Sequence, residues 1–171
     1  GPEVVGNLYI TRHILREYGE YAFPEKKVAA ISGIVPGVMA QTGMETLEII
    51  RGIISQTKPQ LVIAIDALAA RSVKRLGRTI QLANTGINPG SGVGNHRKGL
   101  NQETLGVPVI AIGVPTVVDA ATIVYDVCRD VEKIPGEMAG MFVTPKNIDE
   151  TVKNLSYTIS EALNMTFELN F

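Results

Sequence analysis

The order of apolar and polar positions along the 171-residue chain divides it into alternating helical and extended stretches. Val4, Val5, Leu8, Ile14 and Leu15 are spaced for one helix face and predict a helix ending near Tyr18-Gly19. After Pro24 and two lysines, Val28-Ala-Ala-Ile-Ser-Gly-Ile34 is a short apolar run of small and branched residues, as in a buried strand. Thr42 and Glu45 have the spacing of a capping box, and Leu47, Ile50, Ile53 and Ile54 then recur at helical intervals up to Pro59. Leu61-Val-Ile-Ala-Ile65 is continuously apolar, which predicts a strand covered on both faces and terminated by Asp66.

Beyond Asp66, Ala67 to Arg75 is expected as a short helix, Thr79-Ile-Gln-Leu82 as a modest strand and Val107 to Val114 as a second buried strand, followed by a helix from Asp119 to Val131. Asn147 fits a cap three residues before Glu150, and Ile148, Val152, Leu155, Ile159 and Leu163 form the apolar stripe of a C-terminal helix. This alternation predicts one α/β domain over residues 1–171, a three-layer sandwich with a mainly parallel sheet and helices on both faces. The opening Gly1-Pro2 fits a cleavage scar, and a start on a helix with no strand before it fits the loss of a first element.

Composition narrows the partners. With 45% apolar and 19% charged residues, the chain is expected to bury an ordered core rather than stay disordered. A formal net charge of −1 and the absence of Trp argue against direct nucleic-acid binding, for which a basic stripe with interleaved aromatics is the usual footprint. No apolar run approaches the roughly 20 residues of a spanning helix, so no membrane partner is expected. The lone Cys128 cannot form an internal disulfide, and a cytoplasmic location is the default.

In open α/β sheets ligands bind outside the carboxyl ends of the strands. The expected working surface is therefore the rim where Asp66 meets the loops Asn84 to Asn95 and Pro115 to Asp119. Asp66 suits an N-cap, and equally an acid, a base or a metal ligand. The loop Asn84-Thr-Gly-Ile-Asn-Pro-Gly-Ser-Gly-Val-Gly-Asn95 holds four glycines, and Asn84, Thr85, Gly86, Gly90, Ser91, Gly92 and Asn95 are candidate ligand contacts. It lacks the Walker spacing and the last glycine of the dinucleotide fingerprint, so a loop that binds an extended peptide, or simply a long structured loop, fits it better than a nucleotide site. Ser91 lacks a nucleophile-elbow setting, His13 and His96 are expected on the surface, and Cys128 is expected as a small buried hydrophobe. Pro115, Thr116 and Asp119 close a strand and open a helix, with Thr116 or Asp119 as its cap. Arg71, Lys74, Arg75 and Arg78 form a basic cluster that could steer an acidic partner or solvate a helix.

Taken together, Ile65-Asp-Ala-Leu-Ala-Ala-Arg71, the glycine-rich segment Asn84 to Asn95, Gln102-Glu-Thr-Leu-Gly106 and Ile112-Gly-Val-Pro-Thr-Val-Val-Asp119 closely resemble the spore germination protease family. Pro36-Gly-Val-Met-Ala-Gln-Thr-Gly-Met44 resembles it too, extending the likeness over most of the chain up to about Asp130. The resemblance implies an endopeptidase that degrades small acid-soluble spore proteins during germination. It also implies a zymogen matured by loss of a propeptide, a homotetramer in the spore core, and a fold similar to hydrogenase-maturation peptidases. The family's proposed site uses two aspartates, one of which matches Asp66. The other belongs to an earlier block whose last two residues resemble Gly1-Pro2, so this chain is expected to be a C-terminal fragment. Paired carboxylates can divide acid and base work, or hold a hard divalent cation. The related maturation peptidases have a metal-binding site in this region, so the resemblance allows a divalent metal without requiring a cofactor. A noncatalytic peptide-binding or assembly module built on the glycine-rich loop is the alternative, with a nucleotide-binding enzyme third.

Overall fold

A computed structural model describes residues 1–24, 26–37, 39–90, 98–128, 138 and 140–167. Its regular elements are helices α1 (Pro2–Gly6), α2 (Arg12–Tyr18), α3 (Met39–Thr42) and α4 (Thr46–Thr57), strands β1 (Val62–Ala70) and β2 (Gln81–Ala83), helix α5 (Gln102–Leu105), strand β3 (Val109–Asp119), helix α6 (Ala120–Val127), strand β4 (Phe142–Val143) and helix α7 (Ile148–Thr166). The chain divides into two compact units, Gly1–Val35 with Asp149–Phe171, and Pro36–Ile148.

The larger unit is built on a mixed open sheet in the order β1-β3-β2, with β4 also on β3. β1 and β3 run parallel from the pair Val62–Val109 to the pair Ala70–Val118. β2 and β4 are both antiparallel to β3, so the α/β class holds while the expected mainly parallel sheet becomes a mixed one. Connection length explains the change. A parallel crossover takes about a dozen residues or more, usually with a helix, whereas Arg71 to Ile80 hold only a one-turn 3-10 helix, Val73–Arg75.

Asp66 does not end β1, and the helix expected from Ala67 to Arg75 is replaced by four more strand residues and that short turn. Alanines favour a helix by less than about 1 kcal/mol each. Here they find β3 alongside, with the pairs Ala67–Val114 and Ala70–Val118, and Val118 is fully buried. Burying one such valine contributes about 1.5–3 kcal/mol, so pairing wins over local preference. Leu47, Ala64, Leu100, Leu105 and Val109 form the core, with Ile50 and Ile54 of α4 packed against them. The cap of α4 lies three residues later than expected. The Glu48 carboxylate accepts the Glu45 N–H at 2.9 Å, while Thr42 ends α3 and bonds Met44 instead.

In the smaller unit the single helix expected from Val4 to Gly19 is two, α1 and α2. Gly6 weakens the helix, and the Asn7 side chain closes it by donating to the Glu3 carbonyl at 2.8 Å. Buried Asn164 of α7 then holds the break open, accepting the Tyr9 N–H at 3.2 Å and donating to the Asn7 carbonyl at 3.2 Å. The strand expected over Val28 to Ile34 does not form. Its polar backbone is satisfied by Thr11 instead, whose hydroxyl donates to the Ala29 carbonyl and accepts the Ile31 N–H at 3.0 Å. The apolar stripe of α7 is present, with Ile159 buried, but Ser156, Ser160 and Asn164 are buried too.

Truncating buried Asn164 removes its hydrogen bonds to the Tyr9 N–H and the Asn7 carbonyl, each worth about 0.5–1.5 kcal/mol. Asn164→Ala is therefore expected to lower the urea midpoint of unfolding, and an unchanged midpoint would show that the break between α1 and α2 does not depend on this side chain.

Candidate active site

β1 carries Asp66 in mid-strand, half-buried, directly opposite Gly113 of β3. Because β1 continues through this position, no helix begins at Asp66 and the capping role falls away. Among the described residues the Asp66 carboxylate makes no hydrogen bond, which leaves its acceptors free for a ligand. On the other side of Gly113, in the same row across the sheet, stands Gln81 of β2. In-register neighbours project to one face, so Asp66 and Gln81 flank Gly113 on a common face, separated by two strand spacings, roughly 10 Å. Gln81 is half-buried and its carboxamide also lacks a partner among the described residues. Alternation along Ile80-Gln81-Leu82 sets Gln81 apart in the sequence, but its row with Asp66 depends on strand order and register, which the sequence does not display.

Gly113 has a specific reason to lack a side chain. A Cβ there would collide with Leu68, whose Cγ lies only 2.7 Å from its position. Leu68 thus lies over the glycine and gives the row an apolar roof between the carboxylate and the carboxamide. One pleat further, Leu68 pairs with buried Pro115, and the register then skips Thr116, because Ala69 pairs with Val117. The bulge is chemically motivated: proline has no N–H for the ladder and is tolerated in a sheet at such irregularities. The freed carbonyls are used, that of Pro115 by the Gly77 N–H at 2.8 Å and that of Thr116 by the Thr144 hydroxyl at 2.9 Å. Thr116 is therefore not a helix cap. Asp119 is, accepting the Ala121 N–H at 2.7 Å at the start of α6.

The remaining sequence candidates are placed apart from Asp66. β2 is antiparallel to β3, so the chain leaving Ala83 into Asn84 and Thr85 runs toward the amino end of β3, about three residues or roughly 10 Å from the Asp66 row. Gly86 turns there with φ +82°, and a side chain on it would strike the Leu100 carbonyl. The base of the loop is closed by paired bonds between Ile87 and Leu100, at 2.9 and 2.7 Å, and by Thr104, whose hydroxyl donates to the Gly99 carbonyl at 2.8 Å. Gly90 is half-buried, while Ser91, Gly92, Asn95 and His96 lie outside the described residues. His13 is on the surface of α2 as expected. Cys128 is exposed rather than buried, because α6 ends just before it at Val127.

Among the described residues no three His, Cys, Asp or Glu side chains gather into a set that could hold a metal. Asp66 with Gln81 supplies one anionic donor group, so a divalent cation held here would take its other ligands from outside the described residues. Among the same residues no helix is long and apolar enough to cross a membrane.

Residues 1–137 match a family model described as germination protease. The chain belongs to the germination protease family. It is similar to the germination protease of Caldanaerobacter subterraneus subsp. tengcongensis, 42% identical over 199 aligned positions that take in 98% of this chain and 61% of the relative. The germination protease of Clostridium acetobutylicum is 43% identical over 98% of this chain and 60% of its own length. That of Bacillus subtilis is 58% identical over 126 residues, 74% of this chain and 34% of its own. The chain thus spans about three-fifths of the length of the first of these germination proteases.

Adding one methyl group at Gly113 is expected to push Leu68 off the row and destabilise the sheet by about 1–3 kcal/mol, the usual cost of overpacking. The check is chemical denaturation of Gly113→Ala alone and with Leu68→Ala. Recovery of stability in the double variant is the expected signature, and additive losses would show that the two positions do not meet.

Proposed function

We propose that this chain is the greater part of an endopeptidase that hydrolyses small acid-soluble spore proteins during germination, with Asp66 as one of two carboxylates that activate water. The observation that carries the reading is the free, half-buried carboxylate of Asp66 in the middle of a strand, in a chain of the germination protease family. A lone carboxylate cannot both accept a proton from water and donate one to the leaving amine in a single turnover. Two carboxyl groups close together can, because their mutual repulsion keeps one protonated while the other is ionised. The ionised group takes a proton as the water oxygen bonds to the peptide carbonyl carbon. The protonated group gives its proton to the nitrogen as the C–N bond breaks. In this reading the second carboxylate comes from the part of the protein outside these residues, and Gln81, across Gly113, holds the substrate backbone through its carboxamide.

The finer features follow the same proposal. The protein is made as a zymogen, acts as a homotetramer in the cytoplasm of the spore core, and completes a three-layer sandwich like that of the hydrogenase-maturation peptidases, with residues 1–171 as its peptidase domain. Asn84, Thr85, Gly86, Gly90, Ser91, Gly92, Asn95, Pro115, Thr116 and Asp119 then act as rim and support rather than as reacting groups.

The test is turnover of a small acid-soluble spore protein by a polypeptide extended to the length of the relatives. Asp66→Asn is expected to lower kcat by about 10²–10⁴, the range for loss of an acid or base, and to leave KM near its original value. The 171-residue chain alone is expected to cleave nothing. Full activity in the Asp66→Asn protein would remove this carboxylate from the reaction.

A further inference from the structure

β1 leads from Asp66 straight into an unusual turn. No Asp or Glu occurs between Asp66 and Glu103, and Arg71, Lys74, Arg75 and Arg78 fall in the first part of that interval. All four are exposed, and among the described residues none of the four side chains has an ion pair or a hydrogen bond. Among the described residues one carboxylate is bonded to the turn, and it bonds neutral groups rather than any of the four cations. Asp126 of α6 accepts the Ser72 hydroxyl at 3.0 Å and the Val73 N–H at 2.8 Å.

The turn is also tied down, in a way that a merely solvated stretch does not require. Ser72 accepts the Lys74 N–H at 3.4 Å, the Gly77 N–H reaches the Pro115 carbonyl at 2.8 Å, and the Thr79 hydroxyl reaches the Arg75 carbonyl at 3.3 Å. Four cations with the single carboxylate of Asp126 bonded beside them are thus carried on a tied-down backbone, which leaves a net positive field toward solvent. Self-repulsion among them is unfavourable by itself and is relieved by an anionic partner.

We propose that the turn from Arg71 to Thr79 is a docking site for an acidic segment of the protein substrate. Four strand steps lead from Asp66 to Ala70, roughly 13 Å at the strand rise. An extended polypeptide with its cleaved bond at Asp66 covers that distance in about four to six residues. The acidic residues recognised therefore lie that far along the chain from the cleaved bond. A polypeptide is favoured over nucleic acid because none of the four cations has an aromatic residue within the turn to stack a base, and the chain as a whole is slightly acidic. The inference rests on the peptidase reading only for the identity of the bound chain, and docking and cleavage can fail separately.

Two measurements test it. A fluorescein-labelled oligoglutamate peptide is titrated with the 171-residue chain, and anisotropy is expected to report binding that weakens with added salt. Lys74→Glu with Arg75→Glu is expected to weaken it about tenfold, Arg75→Lys to preserve it, and the far-UV circular dichroism of both to match the parent. Binding unaffected by the charge reversals overturns the proposal, as does tighter binding of a single-stranded oligonucleotide of equal charge at the same turn. In the second measurement the extended polypeptide is given two substrates sharing one cleavage sequence, one with an acidic flank and one with a neutral flank. The charge reversals are expected to raise KM about tenfold for the acidic substrate alone, with kcat unchanged. Equal effects on both substrates sink the docking site. Cleavage of neither substrate sinks the peptidase reading and leaves the anisotropy titration to decide on docking.

Discussion

The parallel pairing of β1 with β3 is the constraint from which the larger unit takes its form. It fixes Asp66 against Gly113, converts a helix-prone alanine stretch into strand, and carries β3 into the centre of the sheet, where Val109, Ala111, Ile112, Gly113, Val114 and Pro115 are all buried. A carboxylate in such a strand would be costly to bury without a partner. Asp66 instead keeps partial access to solvent while neighbouring positions do the packing, which leaves a carboxylate within reach of solvent in the middle of a packed strand.

Much of the larger unit was legible from residue pattern. The helix at Ile50 to Ile54, the two apolar runs that became β1 and β3, and the cap at Asp119 all follow from local signals that tertiary structure did not override. Strand direction was not legible, since it depends on how far the chain travels between strands and not on what the strands contain. That omission had a consequence at the site. Once β2 is antiparallel, Asn84 and Thr85 leave the sheet away from Asp119, and the partner that shares a row with Asp66 is Gln81, which no sequence motif singled out. The family blocks pointed to Asp66 but could not supply its neighbours, because blocks record order along the chain and a site is an arrangement across it.

The smaller unit shows the opposite failure. Its apolar spacing was read correctly as helical, yet three polar side chains redirect it: Asn7 ends the first helix, Asn164 fixes the break, and Thr11 substitutes for a strand neighbour. Binary patterning treats such residues as surface. Thr11 and Asn164 act as they do because they are buried, and burial is a tertiary property. Asp126 plays a comparable part in the larger unit, accepting from a hydroxyl and an amide of the basic turn.

The bulge at Thr116 has a bearing on how this segment can vary over evolutionary time. A strand reverses which side each residue faces whenever one position is inserted or lost. The extra residue at Thr116 lets β3 satisfy two demands of opposite parity, Gly113 beneath Leu68 before it and Val118 sealed in the interior after it. Loss of one position at the bulge would restore an unbroken ladder, with Leu68 still opposite Pro115 and Ala70 still opposite Val118, so Val118 would keep its face and Asp119 its place before α6.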